Sequence, residues 1–388
     1  MDRATLKELL RLAYPMIISQ GAFAVMIFTD RYFMSLVSPT HMGASLAGGV
    51  ASFFCMSLFI GVLSYGNALT AQYFGRKQFD KCSRVVTQGL LLTLFFAPLL
   101  VAIGYLSLGS FEFMGHAPEQ VVLARQYFII LIWGASFSLA KTCIASYFSG
   151  IGRTHIVMIA DTVGVAINIP LTWVLIFGYG EVPALGIAGA AYATIISSLI
   201  SLLIFCYFYL EPHHATSFMV KQSFQLDRGI LRRFVRLGFP SGIEMFLNVA
   251  AFNLFLLMFQ SYGIAESASA AIVFNWDIVS FVPMIGLNVA IISLIGRYIG
   301  AGDTTLMSQV IRISFMLGLG YSSILALLFY LGREPLVAIF LATGSSGEIQ
   351  TLASFMMIGL ATYVMADATI LVAGGVLRGA GDTRWLMW

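Results

Sequence analysis

The sequence predicts an all-α polytopic membrane protein with about ten complete transmembrane helices, arranged as two parallel six-helix repeats around a central cleft, the second repeat truncated. Three observations carry that reading. Of 388 residues, 59% are hydrophobic and only 10% are charged, against roughly 25% charged in soluble domains, and mean hydropathy is +0.90. Apolar runs long enough to cross a bilayer as helix, about 20 residues each, recur along the whole chain. Lysine and arginine gather in alternate loops. This composition excludes an ordinary water-soluble enzyme. The net charge of +3 comes from short basic runs beside apolar stretches, where topology accounts for it, and no nucleic-acid partner is expected.

The crossings are expected at 11–37, 42–73, 85–110, 120–149, 154–179, 184–210, 233–262, 267–298, 308–332 and 349–378. Turn signals separate them: Ser38-Pro39, the polar run from Gly75 to Arg84, Gly150-Ile151-Gly152, Gly180 to Pro183, Gly300 to Asp303 and Gly379 to Asp382. In the last two, glycine stops one helix and an Asp-Thr pair offers an N-cap to the next. Of the 21 lysines and arginines, all but Arg31, Arg125, Lys141 and Arg333 lie at the N-terminus or in the even-numbered loops. Positive charge stays on the cytoplasmic side, so the N-terminus is expected there.

The chain also repeats itself. At an offset of 225, Leu12-Ala13-Tyr14-Pro15 answers Leu237-Gly238-Phe239-Pro240, Ile60-Gly61 answers Ile285-Gly286, and Tyr73 with Gly75 answers Tyr298 with Gly300. Gly150-x-Gly152-x-Thr154 is answered by Gly379-x-Gly381-x-Thr383. Both copies start on the same side, so they are parallel repeats, an arrangement expected of alternating-access transporters. The expected division is a six-helix bundle over 1–211, a cytoplasmic linker over 212–232 and a second bundle over 233–388. Four helices of that second bundle are complete, and the last two are expected to be missing from the sequence.

An ionisable side chain in mid-membrane costs free energy and is by default a functional candidate. Asp30, Arg31, Lys141, Asp161, Glu244, Asp277 and Asp367 qualify. At 1.5 Å per residue, Glu244, Asp277 and Asp367 fall roughly 15–25 Å from the ends of their helices, so they are expected to meet near the midplane of the second bundle. Asn248 lies one turn from Glu244, and Asn275 neighbours Asp277. Such a group can take up a proton or hold a cation, and either couples transport to H⁺ or Na⁺; an interhelical packing cluster is the plain alternative. Asp30 and Arg31 point about 100° apart, so Asp30 can face a cavity while Arg31 snorkels outward. For Asp161 and Lys141 an ion pair is as reasonable as a functional role. His213 and His214 read as solvated linker residues. The glycine turns lack the Lys-Ser/Thr of a phosphate-binding loop, and the four cysteines form no paired motif, so neither ATP, zinc nor a disulfide framework is indicated.

Leu12-Ala-Tyr-Pro15 with Asp30, Ala71-Gln-Tyr-Phe-Gly75, Gly150-Ile-Gly-Arg-Thr154, Asn168-Ile-Pro-Leu-Thr-Trp173, Gly186 to Thr194, Asp367-Ala-Thr and Gly375 to Thr383 together resemble the multidrug and toxic compound extrusion (MATE) transporters, nearest to their NorM-like branch. The resemblance spans the whole chain. It implies an antiporter of the bacterial inner membrane that exports small organic cations and amphiphilic drugs in exchange for Na⁺ or H⁺, needs no cofactor, contacts membrane lipid and acts as a monomer. It also implies a first-helix aspartate at Asp30, an amide at Asn168, a further polar position at Thr172 where relatives carry Asn or Asp, Thr194 completing the pocket, and a coupling aspartate at Asp367. Na⁺ would then sit at Asp30/Asn168 or at Glu244/Asp277/Asp367. The sequence departs where the family's seventh-helix glutamate should stand: that position is Asn248, and Glu244 one turn earlier is the candidate substitute. A lipid-linked oligosaccharide flippase of the same superfamily and a non-transporting receptor-like protein are the rival readings.

Overall fold

The computed structural model describes residues 3–114, 118–340 and 347–387. Among them the chain is helix after helix: α1 Arg3–Val37, α2 Pro39–Ser64, α3 Gly66–Gly75, α4 Phe79–Ser107, α5 Pro118–Gly150, α6 Thr154–Phe177, α7 Ile187–Leu210, α8 Pro212–Ser217, α9 Arg228–Tyr262, α10 Ile264–Ala301, α11 Thr304–Leu331, α12 Arg333–Ala338, α13 Gly347–Ala380 and α14 Arg384–Met387. α3 continues α2 along the same crossing. Nine helical crossings among the described residues are long and apolar enough to span a membrane, and the protein is an integral membrane protein. The tenth expected crossing, 233–262, is present as α9, 35 residues long, with its apolar run broken by Glu244, Asn248 and Asn253.

Local chemistry sets the helix starts. Ser38 caps α2, its hydroxyl accepting from the His41 amide at 3.2 Å, with Pro39 in the first turn. Asp303 caps α11 by accepting from the Leu306 amide at 2.9 Å, and Gly302 before it takes the left-handed conformation at φ 75°. Asp227 caps α9, accepting from the Gly229 and Ile230 amides at 3.0 Å each. Those bonds, the Ile230 amide foremost, hold its carboxyl below the usual carboxylate range, with the Arg84 guanidinium assisting.

The core is continuous through α2 to α7, where Phe59, Leu69, Phe128, Phe148 and Phe205 are almost fully buried. A second core joins α10, α11 and α13 to the first turns of α1 through Leu9, Leu12 and Ala13. α1 therefore packs on both bundles. Large apolar side chains such as Phe28, Leu94, Leu106, Leu203, Ile324 and Phe355 lie exposed on the outside of the described helices, as expected of a chain whose surrounding solvent is hydrocarbon.

The bundles meet on the face that carries most lysines and arginines. The repeat-equivalent segments Tyr73–Gly75 and Tyr298–Gly300 cross there, and a Cβ at Gly75 would collide with the Arg297 carbonyl just as one at Gly300 would collide with the Gln72 carbonyl. Hydrogen bonds close the same face: Asn67 donates to the Val289 carbonyl (3.2 Å), Gln72 to the Gly379 carbonyl (2.9 Å) and Ser293 to the Ser149 carbonyl (2.8 Å). Glu8 accepts from Arg297 at 2.9 Å and from the Tyr298 hydroxyl at 2.5 Å. Near mid-helix the contact is apolar, with Gly61 against Gly242 and Phe54 against Phe246, ring centroids 4.8 Å apart. The described hydrogen bonds between the bundles all lie toward the basic face.

Candidate functional site

Asp30 stands about 10 Å from the end of α1, seven residues before Val37. It is only 9% exposed. Two helices of the first bundle, α6 and α7, bring hydroxyls and an amide to it. Thr172 on α6 donates to Asp30 Oδ1 at 3.2 Å, and Thr194 on α7 lies 3.5 Å from Oδ2 while also reaching the Ala190 carbonyl at 3.1 Å. Asn168, one turn before Thr172, places its Oδ1 3.4 Å from the same threonine hydroxyl and donates to Ser197 Oγ at 3.4 Å. Asn168 and Thr172 are fully buried. Pro170 sits between them inside the helix, and its missing N–H frees the Ala166 carbonyl from the helical ladder. The pocket is rich in oxygen, and among the described residues no lysine or arginine forms an ion pair with its one carboxylate.

Tyr127 on α5 and Ser197 were not singled out from sequence. Tyr127 is 7% exposed and packs in the same bundle close to Asp30 and Thr194. An i,i+3 relation to Thr194 on a small-residue helix marks Ser197 in hindsight; nothing local marks Tyr127. Arg31 is exposed beside this pocket and does not pair with Asp30.

In the second bundle the expected three-acid cluster is corrected. Glu244 forms an ion pair with Arg378, near the end of α13, and accepts from Asn248 Nδ2 at 3.1 Å. Arg378 also reaches Asn288 Oδ1 at 3.5 Å. Counting residues from helix ends gave the depth of Glu244 but not the reach of an arginine folding back along its own helix, and a carboxylate in a medium of low dielectric is held by the nearest cation. Asn248 itself is exposed. Asp277 and Asp367 stand on α10 and α13, helices that pack against each other. Asp277 is 9% exposed, with Ser280 Oγ at 3.5 Å, and Asp367 is half-buried.

Two further polar groups resolve simply. Lys141 and Asp161 pair at 3.0 Å, with Ser19 donating to the same carboxylate. His214 is a correction: it is fully buried, not solvated, packed on Phe218 with ring centroids 4.6 Å apart. Its Nε2 is 3.0 Å from the Tyr147 hydroxyl and its Nδ1 3.2 Å from Arg153 Nη1. Arginine can only donate, so Nδ1 accepts and Nε2 carries the proton. Among the described residues no group of three or more His, Cys, Asp or Glu is arranged to hold a metal ion; the Asp30 pocket offers one carboxylate with hydroxyl and amide oxygens, donors that suit Na⁺ or a proton rather than a transition metal.

The family model described as MatE matches residues 15–174 and 240–388. Its two matches start 225 residues apart, at Pro15 and Pro240, the same offset that separates the repeated motifs. The chain is 27% identical over 390 residues to a probable multidrug resistance protein NorM of Shewanella oneidensis, covering 97% of this chain and 82% of that protein. It is 27% identical over 392 residues to the multidrug resistance protein MdtK of Edwardsiella ictaluri, with the same coverages. Among solved structures, a MOP superfamily transporter from Pyrococcus furiosus superposes with a TM-score of 0.88 at 20% identity over 99% of this chain and 84% of that one. An outward-facing multidrug resistance MATE family transporter superposes with a TM-score of 0.87 at 20% identity over the same shares.

Proposed function

The chain belongs to the MatE family of transporters, and from that premise we propose that it is a secondary antiporter exporting small organic cations and amphiphilic drugs in exchange for Na⁺ or H⁺. The observation that supports this best is Asp30: a carboxylate 9% exposed, without a cationic partner among the described residues, ringed by Thr172, Thr194 and Asn168. A buried anion left uncompensated by the protein is a site for a cation that comes and goes. The oxygens of Thr172 and Asn168 would complete the coordination of Na⁺, and Tyr127 and Thr194 would re-orient when the carboxylate takes a proton.

Lysine and arginine bias puts the N-terminus and the closed face in the cytoplasm of a bacterial inner membrane. The structure is then an outward-facing state, sealed inside by the Glu8, Gln72 and Ser293 bonds. In this reading an external ion binds at Asp30, with Asp277 and Asp367 as a second station in the other bundle, and its differential affinity for the two states drives the exchange. Substrate cation and coupling ion compete for the same carboxylates. The protein works as a monomer without a cofactor.

The test is transport of a fluorescent organic cation by proteoliposomes under imposed Na⁺ or H⁺ gradients, for the wild type, Asp30→Asn and Asp367→Asn. Transport driven by one gradient, and abolished in Asp30→Asn, supports the reading. Full gradient-driven transport in Asp30→Asn overturns the role given to Asp30, and failure of both gradients to move cation through folded protein overturns antiport.

A further inference from the structure

On the basic face, between the first turns of α9 and the turn joining α13 to α14, lies an open groove of about 640 Å³ that the transport reading leaves unused. Arg232, Arg233 and Arg236 line it from α9, Arg384 from α14, with Leu237 and the single acid Asp382. Arg233 is committed elsewhere: it donates to Gln72 Oε1 at 2.5 Å and stacks over the Tyr73 ring at 5.6 Å. Arg232, Arg236 and Arg384 form no ion pair or hydrogen bond among the described residues. Membrane topology asks for positive residues on this face. It does not ask that arginines from segments about 150 residues apart in sequence converge on one concavity with one carboxylate between them, where they repel each other.

The surroundings say what kind of anion relieves that repulsion. Val235 and Phe239, on the same turns of α9 as the groove arginines, are exposed. Arginines at the end of a membrane array mark the depth of the headgroup layer, and the apolar side chains of α9 continue from there toward the hydrocarbon. Planar guanidinia match phosphate oxygens two at a time, and basic pockets between helices on the cytoplasmic side suit lipid phosphates.

We propose that this groove is a specific site for the headgroup of an anionic phospholipid, whose phosphodiesters are held by Arg232, Arg236 and Arg384 while its acyl chains run along Val235 and Phe239. Three uncommitted guanidinia against one carboxylate favour a headgroup with two phosphodiesters. The site is independent of the transport reading. It lies next to the Arg233–Gln72–Gly379 link that closes the basic face, so an occupied groove reinforces that closure.

Native mass spectrometry of the full chain tests the proposal, using delipidated protein titrated with cardiolipin in excess phosphatidylcholine, and separately with inorganic phosphate. Arg232→Gln/Arg236→Gln/Arg384→Gln is expected to weaken cardiolipin binding by about a hundredfold, at roughly fivefold per arginine. The charge-matched Arg76→Gln/Lys77→Gln/Lys221→Gln, on exposed residues of the same face outside the groove, should change it by less than about threefold. Equal losses in the two triple variants would reduce the groove to general surface potential and overturn the proposal. Displacement of cardiolipin by millimolar phosphate would overturn the lipid assignment in favour of a free-phosphate site. Thermal melting checks that each variant folds; should the triple variant not fold, Arg236→Gln and Arg384→Gln alone are each expected to show the fivefold loss, and no loss in either would overturn the site.

Discussion

Asp30 and Glu244 are both carboxylates within the apolar array, and they differ in what neutralises them. Glu244 has Arg378 against it, with both side chains less than one-fifth exposed. Removing one partner of such a pair leaves the other charge uncompensated, so Glu244→Ala should lower unfolding stability by about 3–5 kcal/mol, read as a melting shift in detergent. Asp30→Asn, which removes no protein counter-ion, should leave melting nearly unchanged while altering ion-driven transport. Equal melting for wild type and Glu244→Ala would contradict this division of roles. His214 gives a pH prediction. Burial, with Arg153 and His213 beside it, pushes its pKa down to about 4, against about 6.5 for the unfolded side chain. Between those values the unfolded segment holds the extra proton, so docking of the linker weakens as pH falls from 6.5 and is lost on passing through 4. Hydrogen exchange over 212–222 should rise across that window, and protection that is flat with pH would refute it. Sequence showed which residues are ionisable and how deep each helix carries them. It did not show their partners, because Glu244 and Arg378 stand 134 positions apart and only packing decides which long side chain reaches which carboxylate.

At the scale of elements, α3 and the end of α10 meet as equivalent parts of the two repeats, and glycine is what allows it. A Cβ at Gly75 or Gly300 would strike a backbone carbonyl of the other segment, whereas Gly320 and Gly359 face open space. Gly75→Ala or Gly300→Ala should therefore destabilise closure of the basic face by about 1–3 kcal/mol, with Gly320→Ala neutral. Glu8→Gln removes a half-exposed bond to Arg297 and should cost closure about 1 kcal/mol or less. All are measured by thiol labelling of Ser293→Cys, a position fully buried in the closed face: faster labelling from the basic side in Gly75→Ala than in Gly320→Ala is expected, and the same rate in both would sink the idea. The helix positions, the caps at Ser38 and Asp303 and the paired motifs were legible beforehand, since each is a local property. The splitting of α1 between two cores was not, because its early turns read as one more apolar stretch.

For the whole molecule, the two bundles are joined on one face and lack described hydrogen bonds toward the other. A cysteine at Gly21, where a side chain meets open space, is expected to react with a membrane-impermeant maleimide added opposite the basic face, in a background without the four native cysteines. Ser293→Cys should react from the basic face only once the protein has switched state; the reverse pattern would mean that the resting protein opens inward. By itself the sequence determined the membrane class, the helical crossings, the parallel repeat and the family, because these rest on composition, periodicity and order along the chain. The pocket of Asp30 with Asn168, Thr172 and Thr194 was already implied by the family resemblance; the tertiary structure alone decided that its carboxylate has no ion-pair partner among the described residues, that Glu244 is taken by Arg378, that His214 is buried among aromatic rings, and that four arginines share one groove. Those are contacts between residues far apart in sequence, set by how helices rotate and cross, and a one-dimensional pattern holds depth along a helix but not the direction in which a side chain meets its neighbour.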